Sequence, residues 1–355
     1  MKTCSVLAAI FCVMTIGVGL ERAQTLGDKS VVVRLDPALD ELVSANAKLE
    51  VAKSGFAFTE GTTWIQEGNT RFLIFTDIPA NVIDKMTPDG RVSVYADHVG
   101  YDGPIDAYNM LTLGVVRDNG KDPQDPLFRR FVMLGADGLT LDRQGRIVVA
   151  GWAARNVYRI EKDGKRTILA DRYQGKRLGG PNDVIVKKDG AIYFTDAVGG
   201  LRLEDKDPAK ELNQGVYMIK AGKLTLVIND IPTVNGLAFS PDEKHLYANG
   251  SGANYIRRYD VQPDDTLTNS TLLIDLSADK TPGITDGMKV DTKGNVYQSA
   301  AGGVWIISPD GRHLGTILTP ELVANVEFGD PDHKTLYIAA RTSIYRIRAN
   351  TAGIP

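Results

Sequence analysis

Cysteine is nearly absent from this chain. Its 355 residues include two, Cys4 and Cys12, and both lie within the first twelve positions. The rest of the chain therefore has no thiol for a disulfide, a nucleophile or a thiolate metal site. Histidine is also scarce, with four in the whole chain. This scarcity disfavours the imidazole-rich sites that hold Zn²⁺ or Cu²⁺.

An excess of basic residues is absent too. The chain has 41 Lys and Arg against 44 Asp and Glu, a formal net charge of −3. Because nucleic-acid binding depends on a basic face that neutralises phosphates, no nucleic-acid partner is expected. The hydrophobic fraction of 43% is enough for a sizeable core. The 36 glycines suit a fold with many tight turns.

The N-terminal residues have the features of a targeting segment. Lys2 is followed by an uncharged, largely apolar stretch over residues 3–20, and polar sequence resumes at Glu21. This pattern predicts a signal peptide over residues 1–23, a periplasmic or secreted location, and no membrane association beyond the export signal. An uncleaved anchor is the alternative, because ~18 apolar residues are just long enough to span a bilayer. Residues 24–47 are predicted to be an extension with a short amphipathic helix over residues 37–47.

A single unit recurs six times in the rest of the chain. Each copy has a polar residue, an alternating strand, a turn with Asp or Gly, and a second strand rich in Tyr, Phe and Val. The copies start at residues 60, 137, 182, 235, 286 and 325. Repeats of about 40–50 residues built from short strands are typical of propeller blades. The sequence therefore predicts an all-β fold, a six-bladed β-propeller over residues 48–355, with a sandwich or two smaller β domains as the alternative.

Two irregularities in the repeat carry further predictions. The first interval is too long, and its surplus lies in a stretch rich in Asp, Pro and Gly, predicted to be an insertion at about residues 101–130. The sixth copy ends after its third strand. A strand over residues 48–52 is predicted to complete that blade and close the ring, so that no open seam remains.

The first polar residue of each copy lies where the chain enters an innermost strand. In a propeller these positions converge on the central axis. Every one of them is an oxygen donor: Glu60, Asp137, Asn182, Asn235, Asp286 and Asn325. Such a set suits Ca²⁺, which binds oxygen ligands in irregular geometry, and facing carboxylates repel one another without a cation. Alternatively, each residue is an ordinary turn residue that precedes a strand.

Several motifs around these positions occur in an order found in a known protein family. They are residues 59–61 with Trp64, residues 75–78, residues 138–146, residues 181–184 with residues 193–196, residues 234–241 and residues 286–288. The chain resembles the senescence-marker-protein/gluconolactonase/luciferin-regenerating-enzyme family, and most closely its bacterial gluconolactonase-like branch. The resemblance implies a six-bladed propeller with one divalent metal, held by residues that match Glu60, Asn182, Asn235 and Asp286. Ca²⁺ is the expected ion, with Mg²⁺, Mn²⁺ and Zn²⁺ as alternatives.

The resemblance also implies an activity, the opening of a small-molecule lactone by water. Asp286, or else Asp137, is predicted to take the proton of the attacking water. The predicted substrate contacts are Asp137, Trp152, Arg155 and Asn325. Thr62 and Asp137 replace the Pro and Asn that are usual in the family, which leaves the identity of the lactone open. The alternatives are hydrolysis of a phosphotriester or another ester on the same site, or a non-catalytic binding propeller with a structural Ca²⁺.

Overall fold

The computed structural model describes residues 24–25, 31–103, 116–126, 128–197, 214–251 and 254–355. The predicted signal peptide over residues 1–23 lies outside the described residues. The predicted extension is described at residues 24–25 and again from residue 31. Within the described ranges, no helix has the length and apolar character needed to cross a bilayer.

Six antiparallel sheets form the blades of a propeller, as the repeat predicts. The first four have four strands each, and the strand nearest the axis comes first in the chain. Blade 1 contains Thr59–Glu67, Thr70–Asp77, Val82–Met86 and Val92–Asp97; blade 2 contains Leu139–Leu141, Ile147–Gly151, Asn156–Ile160 and Arg166–Ala170. Blade 3 contains Pro181–Val186, Ile192–Asp196, Gly215–Lys220 and Lys223–Ile228; blade 4 contains Val234–Phe239, His245–Gly250, Tyr255–Val261 and Leu267–Asp275.

The last two blades are completed by the N-terminal extension. Blade 5 contains Met288–Val290, Val296–Ala300, Gly303–Ile307 and His313–Leu318, with Val32–Arg34 added at its outer edge. Blade 6 contains Asn325–Gly329, Thr335–Ala340 and Ser343–Arg348, and its outer strands are Glu50–Ser54 and Gln24–Thr25. The N-terminal closure is therefore confirmed, two residues further along the chain than predicted.

The innermost strands contact one another in a closed ring of six, from blade 1 round to blade 6 and back. Large side chains on the second strands fill the space between blades. Tyr193, Tyr247, Tyr297 and Tyr337 occupy the same place in blades 3 to 6, and each is fully buried. Because alternate residues of a strand face opposite sides, one recurring aromatic per copy is enough to pack successive blades together.

The predicted helix over residues 37–47 is much shorter in the structure. It is a 3₁₀ helix, Pro37–Glu41, in which the Asp36 side chain accepts a hydrogen bond from the Ala38 amide at 2.8 Å. The helix does not continue because the next segment turns: the Ala47 amide donates to the Ser44 carbonyl. The apolar face was predicted correctly, since Leu39, Leu42 and Val43 are buried against blades 5 and 6.

Within the part of the chain that the structure describes, two short hairpins lie outside the blades. One pairs Val116–Asp118 with Arg130–Val132 and belongs to the predicted insertion; residues 104–115 and 127 of that insertion are not among the described ones. The other pairs Arg172–Tyr173 with Lys176–Arg177.

Candidate functional site

The six oxygen-bearing residues that start the repeats come together at one end of the axis. The Asn325 side-chain amide donates to Glu60 Oε2 at 2.8 Å, and the Asn182 amide donates to Asp137 Oδ2 at 2.7 Å. Asp286 is hydrogen-bonded to the Asn235 side chain and to Glu60. Residues from all six blades therefore lie together as two hydrogen-bonded groups whose carboxyl groups interact through their charges; we call the set the axial ring: Glu60, Asp137, Asn182, Asn235, Asp286 and Asn325.

Burial differs around the axial ring. Glu60, Asp137 and Asn325 are 3%, 6% and 4% exposed, so they lie deep. Asn182, Asn235 and Asp286 are only half-buried. The side of the ring formed by blades 3 to 5 is thus partly open to solvent, while the side formed by blades 6, 1 and 2 is packed.

Close approach of the backbones requires glycine at positions next to the ring. Gly61 has φ +52°, and a Cβ atom there would lie 2.1 Å from the Asp137 carbonyl oxygen. A Cβ atom on Gly236 would lie 2.3 Å from the Asp286 carbonyl oxygen. These glycines allow each innermost strand to approach the start of the next one, which brings the polar side chains within hydrogen-bonding distance.

Buried polar side chains from the second strands hold the backbone of Asp286. Its amide donates to Ser299 Oγ at 3.0 Å, and its carbonyl accepts from Asn249 Nδ2 at 2.5 Å and Gln298 Nε2 at 3.0 Å. All three partners are fully buried. The sequence did not predict this support. Thr76 holds the Asp137 carbonyl in the same way, at 3.1 Å. Thr76 does lie in one of the motifs on which the family resemblance rests.

The electrostatics of the axial ring favour a bound cation. Burial, followed by the charges of Asp286 and Asp137, raises the pKa of Glu60 well above its usual range. Burial, followed by the charges of Asp286 and Asp183, does the same to the pKa of Asp137. Burial raises the pKa of Asp286 to about 7. A cation bound among these carboxyl groups would remove the repulsion and allow all three to ionise.

A second layer of charged side chains lies beneath the ring, further along the innermost strands and away from the open end of the axis. Lys289 Nζ lies 3.5 Å from Glu327 Oε2. Asp183 is 5% exposed and accepts hydrogen bonds from the Val184 and Leu237 amides at 2.9 Å. The charges of Glu327, Asp183 and Glu60 offset the burial of Lys289, whose pKa is raised overall, so the ammonium group stays protonated. Asp183 follows the repeat start Asn182 by one residue, and Lys289 follows the repeat start Asp286 by three. This position within the repeat is the sequence signal that could have revealed them.

A cavity lies at the other end of the axis. It has a volume of about 550 Å³, and its lining includes Trp64, Leu141, Phe239, Lys289 and Glu327. These residues follow the axial ring along the innermost strands, so the Lys289 layer separates this cavity from the ring. The six oxygen donors at the repeat starts lie in the axial ring and not in the lining of this cavity, which makes the ring the candidate reactive site.

Trp152 and Arg155 belong to the loop between the second and third strands of blade 2 and are not part of the axial ring. Trp152 is 8% exposed and packs with Ile78, Val132 and Met133. Arg155 is 3% exposed, and its Nε donates to the Leu178 carbonyl at 2.6 Å. Their predicted contact with substrate stays a prediction, and packing already accounts for their positions.

The axial ring fits a hard divalent cation that binds oxygen. Asn235 Oδ1 is buried and has no hydrogen-bond partner, although buried polar atoms are nearly always paired. Among the described residues, no three His, Cys, Asp or Glu side chains form a metal site by themselves. A site here would therefore need amide oxygens as well as carboxylates, and the free Asn235 oxygen is available for that role.

Comparison with known proteins agrees with the propeller fold and shows the family of the chain. Residues 58–342 match the family described as SMP-30/Gluconolactonase/LRE-like region. The chain belongs to this family. It is 33% identical over 333 residues to a gluconolactonase of Zymomonas mobilis, covering 91% of this chain and 87% of that one.

Two solved structures share the fold. A gluconolactonase from Xanthomonas campestris is 25% identical, with a TM-score of 0.73 that covers 92% of this chain and 97% of its own. A calcium-binding protein, regucalcin, from Agrobacterium tumefaciens is 17% identical, with a TM-score of 0.61 that covers 84% of this chain and 94% of its own. At that identity the second structure supports the fold alone.

Proposed function

We propose that this chain hydrolyses a sugar-type lactone at the axial ring, with one divalent cation bound there. Family membership and the gluconolactonases that resemble the chain make it a lactonase. The observation that carries the finer proposal is the axial ring itself. It combines three carboxyl groups of raised pKa with a buried amide oxygen that has no partner.

Four residues would hold the cation: Glu60, Asn182, Asn235 and Asp286. Two carboxylates and two amides are the hard ligands that Ca²⁺ favours, which makes it the proposed ion. When bound, the cation would polarise the lactone carbonyl and stabilise the negative charge that develops on its oxygen. The half-buried faces of Asn182, Asn235 and Asp286 lie on the open side of the ring, where a lactone can approach.

Asp286 is proposed to accept the proton of the attacking water, with Asp137 as the second candidate. A carboxyl group with a pKa of about 7 is well suited to general base catalysis near neutral pH; ligation would lower that pKa. Ser299, Asn249 and Gln298 fix the backbone of Asp286, so its carboxylate is held in one place. Asp137 is 6% exposed, whereas Asp286 is half-buried on the open side of the ring, which makes Asp137 the less available base. Asp137 and Asn325 remain the proposed polar contacts to substrate within the ring.

Export is part of the same proposal. The apolar segment over residues 3–20 supports a signal peptide and a periplasmic or secreted location. Expression of the full chain followed by N-terminal sequencing of the product tests this. A product that starts near residue 24 supports export, and an intact Met1 contradicts it.

A substrate panel tests the activity. The purified protein is treated with chelator and then assayed with a sugar lactone, an aromatic lactone and a phosphotriester, each with Ca²⁺, Mg²⁺, Mn²⁺ or Zn²⁺ added back. We expect the sugar lactone to be hydrolysed fastest, activity to disappear with chelator, and Ca²⁺ to restore it. Preference for the phosphotriester, or full activity in chelator, would contradict the proposal.

A further inference from the structure

The cavity at the end of the axis opposite the ring has an apolar side and a charged side. Its volume of about 550 Å³ is in the range of small-molecule sites. On the apolar side, Leu141, Ile185 and Phe239 come from blades 2, 3 and 4 and are half-buried in the lining. On the charged side lie Lys289 of blade 5 and Glu327 of blade 6. The cavity can therefore hold a molecule that is apolar at one end and charged at the other.

Lys289 has hydrogen-bonding capacity to spare. Its ammonium group has three N–H donors. Among the residues that the structure describes, its ion-pair partner is Glu327, whose Oε2 lies 3.5 Å from Nζ, and the ammonium group makes no other hydrogen bond or ion pair. The Lys289 side chain is 20% exposed, and the cavity is the open space beside it. Donors of this ammonium group are therefore free to bind a ligand.

The carboxyl groups around the cavity, in contrast, already have donors. Glu327 accepts from a backbone amide at 2.8 Å, Asp142 from a guanidinium at 2.7 Å, and Glu243 from a backbone amide at 2.7 Å. Asp183 does not line the cavity, and it accepts from two backbone amides at 2.9 Å. Arg143 is an exposed residue of the lining, and in the described part of the chain its guanidinium has no hydrogen bond or ion pair. The free charges of the lining are thus positive, which favours an acid over an amine.

We propose that this cavity binds a small organic acid, with its acid group on Lys289 and its hydrocarbon body against the apolar side formed by blades 2 to 4. A hydrogen bond between an ammonium group and a carboxylate is about twice as strong as one between neutral groups, and the low dielectric of a partly buried site strengthens it further. The layer of Lys289 and Glu327 separates this site from the axial ring, so the inference does not depend on the proposed lactonase function.

The test uses three probes that share one alkyl chain and differ in the head group: octanoate, octanol and octylamine. Binding to the full chain is measured by calorimetry after cations have been removed, so that no metal ion at the axial ring can hold the carboxylate. We expect octanoate to bind about 10- to 100-fold more tightly than octanol, the gain typical of a hydrogen bond to a charged group. Octylamine should bind no better than octanol. Equal affinity for all three probes, or a preference for octylamine, would overturn the inference.

Two variants locate the binding, and a third is the control. Lys289→Gln removes the charge and should reduce the affinity for octanoate to that for octanol. Thr140→Trp introduces a large side chain at a half-buried position of the lining, and it should weaken the binding of octanoate by about 10-fold or more. Thr225→Trp makes the same change on the outermost strand of blade 3, away from the cavity, and should bind octanoate as the wild type does.

Three results would overturn the inference. The wild type could bind octanoate more weakly than about 1 mM, an affinity too low for a built site. Lys289→Gln could fold and keep the wild-type preference for octanoate over octanol, in which case Lys289 is not the receptor. Thr140→Trp could keep the wild-type affinity, in which case octanoate binds elsewhere. If Lys289→Gln does not fold, the comparison of Thr140→Trp with Thr225→Trp and the order of the three probes still decide the matter.

Discussion

Replacing Asp286 by Asn should stabilise the cation-free protein at high pH. The pKa of Asp286 is raised from 3.8 to about 7, chiefly by burial. The folded protein therefore binds this proton more tightly than the unfolded chain does. The stability that the proton contributes is fully present below pH 3.8 and is lost as the pH rises through about 7. Asparagine has the same shape and carries no charge, so the variant avoids this loss.

The magnitude follows from the shift. A rise of about three pH units at about 1.4 kcal/mol per unit corresponds to about 4 kcal/mol. Solvent access on the open side of the ring reduces this, so we expect a difference of about 2–4 kcal/mol in the free energy of unfolding at pH 8. Removing the Asp286 charge also relieves Glu60 and Asp137, whose pKa values it raises, and this acts in the same direction.

The assay is urea denaturation in chelator at pH 5, 6, 7 and 8, followed by the same series with Ca²⁺. In chelator, the wild type should lose stability relative to Asp286→Asn as the pH rises. With Ca²⁺ at about 100 times its Kd, the wild type should gain about 2.7 kcal/mol, and the variant should gain far less. Asp97→Asn, the same chemical change at an exposed position of blade 1, serves as the control and should follow the wild type.

Two results would refute the reasoning. If wild type and Asp286→Asn have parallel pH dependence in chelator, Asp286 does not carry a raised pKa. If the variant gains as much stability from Ca²⁺ as the wild type, Asp286 does not hold the ion, and the proposed site is wrong.

Three other predictions concern the architecture around the site. Lys289→Met should cost about 3–5 kcal/mol in urea denaturation, because it leaves Glu327 and Asp183 buried without their cation; unchanged stability would mean that water already solvates this layer. Gly61→Ala should lower the Tm and weaken cation binding together, since its Cβ would lie 2.1 Å from the Asp137 carbonyl; normal cation affinity by calorimetry would contradict the close approach. Deleting residues 1–54 should give an aggregating protein, because it exposes the edge of Ser343–Arg348; a soluble monomer in size-exclusion chromatography would show that the closing strand is dispensable.

The repeat determined most of the fold. Alternation within each copy specifies strands and their buried faces, and six copies specify six blades, because each blade can bury its apolar face only against its neighbours. The closing strand followed from the missing strand of the last copy. The helix over residues 37–47 was predicted too long, because the spacing of its apolar residues also fits a short 3₁₀ turn. Pro37 and Asp36 favour the start of a helix but do not determine where it ends.

The axial ring was predictable as a set, but its internal bonding was not. Position in the repeat placed Glu60 and Asn325 at the same end of the axis, although 265 residues separate them. Which carboxyl group accepts from which amide depends on the rotation of each blade, and no local pattern encodes that rotation. The same holds for Asn249 and Gln298, which support Asp286 from two neighbouring blades.

By itself, the sequence determined the all-β class, the number of blades, the closure and the residue types at the axis, because all of these follow from the period of the repeat and from position within each copy. Only the tertiary structure decided that Asn235 has a free buried oxygen and that Lys289 lies beneath the ring. Those facts depend on distances between side chains far apart in the chain, and such distances exist only once the blades have packed.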